Sequence, residues 1–182
     1  TDWMEEFMLR TTSLENYDKW TRGELPFSSP EVKNAAETLA EIWFNDDYVY
    51  GGRASIVTTF FGDSPNPMFD DPPKCWLHKQ GNFITSFFPA DAEAGVDYDF
   101  FYLPSKDPSL GRPVLVAGDI YAMFNDRPEV RDTMQHFASG ASVEGWVRAG
   151  GAISPHKDSE LSWYSNDVDR KVAEIIQDAT SV

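Results

Sequence analysis

The chain has 182 residues, 41% of them hydrophobic and 14% aromatic, which supplies enough apolar material for one buried core and argues against disorder. With 30 acidic residues against 15 basic ones the formal charge is -15, so nucleic acid and anionic membrane headgroups are repelled and drop out as main partners. The single cysteine, Cys75, allows no internal disulfide, and no run of about 18 apolar residues is present to span a bilayer.

Taken in chain order, an amphipathic pattern is already running at Trp3 and Phe7. The first six residues, Thr1 to Glu6, have no basic segment, apolar segment or cleavage site of a secretory leader. A helix is predicted over Pro30 to Asn45, where Val32, Ala35, Ala36, Leu39, Ile42 and Trp43 form one apolar stripe. Its start is marked by Ser28 or Ser29 as N-cap and by Pro30 and Glu31 in the first turn. The stretch from Gly62 to Pro73 holds four of the 12 prolines and reads as loop.

Lys74 to Leu77 reads as a short buried strand entering a helix or turn near Gln80. Tyr98 to Leu103 and Pro113 to Phe124 read as further strands, the second interrupted only by Gly118 and Asp119, with loop between them from Ser105 to Arg112. A second helix is predicted from Pro128 to Ser139, capped by Asp126, with Val130, Met134, Phe137 and Ala138 on one face. A third runs from Asp167 to Thr180 through Val168, Val172, Ile175, Ile176 and Ala179, with Asp167 and Asp169 near its positive end. All three are one-sided, so each needs a covering partner, and the expected fold class is α/β or α+β: helices around a small sheet. Because patterns run close to both ends, the chain is expected to be a fragment.

Chemical motifs are sparse. Neither glycine-rich phosphate loop is present, because Gly51-Gly52 and Gly150-Gly151 are isolated pairs. Cys75 and His78 have a permissible ligand spacing, but His136 and His156 lie far away, so no metal and no cofactor are expected. The acidic stretch Asp91 to Asp97 lacks the sixth-place glycine and closing glutamate of a calcium loop. No nucleophile elbow occurs, and the pairs Asp46-Asp47 and Asp70-Asp71 are adjacent residues that point apart, so no catalytic residue is assigned.

What remains is aromatic side chains interleaved with short polar ones: Asp2-Trp3, Trp76 to Gln80, Gly118-Asp119, and Trp146 ahead of Gly150-Gly151. A sugar ring offers an apolar C–H face for an indole and hydroxyls for carboxylates and amides, so these groups suit a carbohydrate surface. Core filling by the same aromatics is the competing explanation for any one of them.

The order of segments resembles the sugar-binding subunits of carbohydrate ABC importers, the maltose- and α-glucoside-binding family. The resemblance is carried by Thr1 to Glu5, Tyr17 to Trp20, Pro26-Phe27, Ser29 to Val32, Pro72 to Ile84, Tyr98 to Pro104, Pro113 to Asp119 and Gly150 to Lys157. It implies one lobe of a two-lobed periplasmic-binding fold, spanning residues 1–182 as most of the second lobe, with residues 98–124 crossing between lobes. It further implies an oligosaccharide ligand, a permease partner, a missing first lobe from the same protein, an extracytoplasmic home and no enzymatic activity. Carried over position by position, it places Trp3, Trp76, Gly118, Asp119 and Gly151 near the ligand, with Asp2 and Gln80 as weaker hydroxyl partners. The alternative class is a carbohydrate-active enzyme or its accessory binding module.

Overall fold

The computed structural model describes residues 2–150 and 152–178. Its described residues form α-helices and short 3₁₀ turns joined by irregular segments. They divide into two compact units, residues 2–79 with Leu103–Leu115, and Gln80–Tyr102 with Val116–Asp178.

The first unit contains α1 (Asp2–Thr11), α2 (Leu14–Thr21), α3 (Pro30–Trp43) and the single turn α4 (Ser55–Thr58). Ser29 caps α3, accepting a hydrogen bond from the Val32 N–H at 3.4 Å, and Pro30 occupies the first turn, where its missing N–H costs nothing. Of the expected α3 stripe, Val32, Ala35 and Leu39 are buried, spaced to lie one above another on the face turned to α1. They meet Phe7 and Met8 of α1, and Trp3, Tyr17, Trp20, Leu25, Ile42 and Trp43 close the margins. Ala35 and Met8 have no exposed surface, so a small side chain on α3 receives the long one on α1.

Arg10 is buried at the end of α1 and forms an ion pair with Glu6 one turn earlier at 2.5 Å. Its Nε also donates to the Leu103 carbonyl at 3.3 Å, while Lys106 Nζ donates to Thr38 Oγ1 at 3.1 Å. A buried guanidinium needs such partners, and here they tie the 103–110 segment to the helix pair.

The second unit contains α5 (Pro128–Phe137), α6 (Glu144–Ala149) and α7 (Asp167–Asp178). Its core is Val147 of α6, Tyr164 and Ala173 of α7, flanked by Val143, Ile153, Leu161 and Trp163. Lys171 on α7 pairs with Asp99 at 2.7 Å and holds the loop before it, where Ala94 and Tyr98 form an isolated bridge.

Two expectations are corrected. Asp126 does not cap α5; Arg127 takes the N-cap position without a side-chain hydrogen bond, and Asp126 is drawn into a two-pronged pair with Arg131 instead. The small sheet is absent among the described residues: no strand forms over Lys74 to Leu77, Tyr98 to Leu103 or Pro113 to Phe124, where Tyr98 and Pro113 are single bridge residues. A strand exists only when its N–H and C=O groups meet those of a neighbour, and β-propensity measures packing on such a surface, not an autonomous preference. Nor is the apolar face of α5 sealed, since none of its residues is buried. The C-terminal helix is described to Asp178, so Ala179 and Thr180 of the expected stripe lie outside the described residues.

Candidate functional site

The first turn of α1 carries two of the candidate residues. Asp2 is exposed there, where a carboxylate complements the helix dipole. Trp3 is half-buried at the edge of the helix-pair core, with Phe7 near-parallel at 6.1 Å between ring centroids and Trp43 edge-on at 5.9 Å. Both arrangements are favoured by the ring quadrupoles and hold the indole in one orientation.

A third neighbour was not selected from the sequence. The Lys79 ammonium lies over the Trp3 ring, 5.6 Å from its centroid. Burial pushes the Lys79 pKa down and Arg10 adds to that, while the carboxylates of Glu6, Asp2 and Glu5 oppose it. Beside it, His78 has its Nε2 buried without a hydrogen-bond partner, and burial lowers its pKa. Both residues belong to the stretch from Trp76 to Gln80 whose mix of indole and polar groups marked it out; what composition could not show was which of the five would meet Trp3.

Trp76 also departs from expectation. The short buried strand is an exposed irregular segment, with the Trp76 side chain 78% exposed and Leu77 nearly as open. Cys75 does not face a core either, its thiol contacting the Leu77 carbonyl at 3.2 Å. An indole left in water by its own unit is free to stack on a ligand.

In the second unit, Gln80 is half-buried and its side-chain carbonyl accepts the N–H of Gly81 at 2.9 Å. Gly118 and Asp119 are exposed, and a Cβ built on Gly118 meets nothing within 4 Å, so the chain's own packing does not require glycine there. Gly151 lies outside the described residues, but its surroundings are organised. Gly150 ends α6 at a φ of 91°, a conformation that side chains with a Cβ avoid. Downstream, the Ser154 and Ser159 hydroxyls share a buried hydrogen bond of 2.5 Å. The Ser154 N–H donates to the Tyr164 hydroxyl at 3.1 Å, and the His156 N–H donates to Ser154 Oγ at 3.1 Å. Asp158 then lies against buried Gly140, where an added Cβ would stand 2.5 Å from the carboxylate. Buried hydroxyls satisfied this fully rigidify the turn that follows α6.

Among the described residues no group of three or more metal-ligating side chains occurs, and no helix is long and apolar enough to cross a membrane. The described candidate residues carry aromatic, carboxylate and amide side chains, together with glycine.

Comparison with known proteins accords with that chemistry. The chain is 46% identical over 179 residues to the osmoprotective compounds-binding protein GgtB of Synechocystis sp., an alignment covering 98% of this chain and 42% of that protein. It is 40% identical over 185 residues to the alpha-glucosides-binding periplasmic protein AglE of Rhizobium meliloti, covering 100% of this chain and 40% of the relative. Both relatives are named as binding proteins. The chain spans about two fifths of the length of the curated relatives it matches. No protein-family model and no solved structure matches it.

Proposed function

We propose that this chain is part of the substrate-capturing component of a carbohydrate ABC importer that takes an oligosaccharide, of α-glucoside type, outside the cytoplasm. The observation that carries the proposal is the end-to-end similarity to two binding proteins, one of them named for alpha-glucosides and for the periplasm. The exposed indole of Trp76 adds the stacking surface that a sugar needs.

In this proposal the chain supplies most of the second lobe of a two-lobed binder, and residues 98–124 cross towards the other lobe. The apolar stretch from Val114 to Phe124, which forms no strand among the described residues and leaves Ile120 92% and Phe124 97% exposed, suits a segment completed by further sequence. The residues proposed to contact the ligand are Trp3, Trp76, Gly118, Asp119 and Gly151, with Asp2 and Gln80 as weaker hydroxyl partners. Closure of the two lobes over the sugar would bury it, and the closed form would be the one that the permease subunits engage.

The test is incubation of the full-length binder with a panel of α-glucosides, followed by calorimetry and by chromatography of the sugar. The expected result is saturable binding with every glycosidic bond intact. Released monosaccharide would move the protein to the carbohydrate-active enzymes, and absence of binding to the whole panel would remove the ligand class.

A further inference from the structure

Lys79 lies over the ring of Trp3. Its Nζ lies 5.6 Å from the centre of the Trp3 ring, and the other ring neighbours are Phe7, near-parallel, and Trp43, edge-on. Lys79 is half-buried and comes from an irregular segment, so its placement over the indole is made by side-chain contacts and not by a ladder of backbone bonds. Burial works against a cation there and Arg10 adds to that, while Glu6, Asp2 and Glu5 of the first α1 turns oppose both.

An indole face carries the negative side of the ring quadrupole, which attracts an ammonium and also the polarised C–H bonds on the apolar face of a sugar. The two cannot occupy the same face together. We infer that Lys79 is a specificity-determining residue: in the free protein its ammonium covers the Trp3 ring, and a neutral sugar must displace it before stacking. The inference rests on the proposed role of Trp3 in sugar capture. It gives the site a built-in placeholder that keeps the indole from other apolar contacts and lowers affinity for every neutral ring. The strength of an exposed cation–π contact sets that penalty at about two- to fivefold in affinity.

Two measurements on the full-length binder test it. The first is acrylamide quenching of Trp3 fluorescence, isolated as the difference between each protein and its Trp3→Phe counterpart. Lys79→Ala should raise the accessibility of Trp3 and Lys79→Arg, which keeps the cation, should restore the cover. The second follows the Trp3 indole N–H resonance as maltose is titrated through the millimolar range. The midpoint for Lys79→Ala should fall about two- to fivefold below that of the unmodified chain, with Lys79→Arg close to the latter. Equal quenching with and without the lysine overturns the cover, and a clear maltose response whose midpoint is unchanged or raised overturns the competition while leaving sugar capture intact. If maltose moves no indole resonance in any of the proteins, the role of Trp3 in capture falls and the placeholder role with it; a surviving quenching difference would then mark Lys79 as a packing contact alone.

Discussion

The α1–α3 pair and the 113–124 run are both rich in apolar residues, yet they end in opposite states. In the helix pair Met8, Val32 and Ala35 are sealed, while in the run Val116, Ile120, Tyr121, Met123 and Phe124 are all exposed. The difference lies in who supplies the partner. A helix satisfies its own backbone and needs only one matching stripe to bury its face, and α1 and α3 each provide that stripe within a short stretch of chain. An extended segment needs a neighbour for its backbone as well as its side chains, and among the described residues Val114 to Phe124 form no strand. Apolar sequence is thus a promise of burial that is redeemed only where its geometry is matched.

Substitutions can break that contrast. Met8→Ala should cost about 2–5 kcal/mol by opening a cavity in the helix-pair core, read as a lower urea midpoint at unchanged slope. Glu6→Ala should cost about 2 kcal/mol by leaving the buried Arg10 guanidinium with one partner fewer; a loss well below 1 kcal/mol would mean that water reaches Arg10 in its place. Trp76→Ala should weaken sugar binding by the full-length protein about tenfold and hardly move its melting temperature, because the ring stands in solvent. Unchanged affinity removes Trp76 from the site.

His78 sharpens the comparison through pH. Burial sets its folded-state pKa below the ordinary value of about 6.5, so the unfolded chain binds the proton first as pH falls. Stability is therefore fully present above that value and declines as pH drops through it towards the folded-state pKa. Urea midpoints measured across this range should fall more steeply for the natural chain than for His78→Gln, and parallel profiles would mean that the ring is hydrated. At the small end, Ile120→Ser should change stability by no more than about 0.5 kcal/mol, since the side chain is 92% exposed.

The legible parts of the molecule are those where the deciding contacts are near in sequence. Ser29, Pro30 and the Val32, Ala35, Leu39 spacing set α3 almost to its ends, because caps and stripes are made by residues within two turns of each other. Asp126 shows the limit of the same logic: it stood at a capping distance, but Arg131 offered a charged partner one turn away and took it. The candidate site was legible as a set of residue types and less so as contacts. Trp3 and the Trp76 to Gln80 stretch were singled out by their chemistry, yet the meeting of Trp3 with Lys79, and not with Trp76, depends on how a distant loop returns to α1.

By itself, then, the sequence determined the three helices α3, α5 and α7, the absence of phosphate-loop signatures, the acidic surface and the aromatic-polar chemistry suited to sugars, all of which follow from local spacing or composition. The tertiary structure alone decided that Lys79 rests on Trp3, that His78 is left buried without a partner at Nε2, and that the strand-like segments stay irregular. Each of these depends on which groups from remote parts of the chain arrive at one place, and that is set by packing and backbone pairing, which no window of neighbouring residues contains.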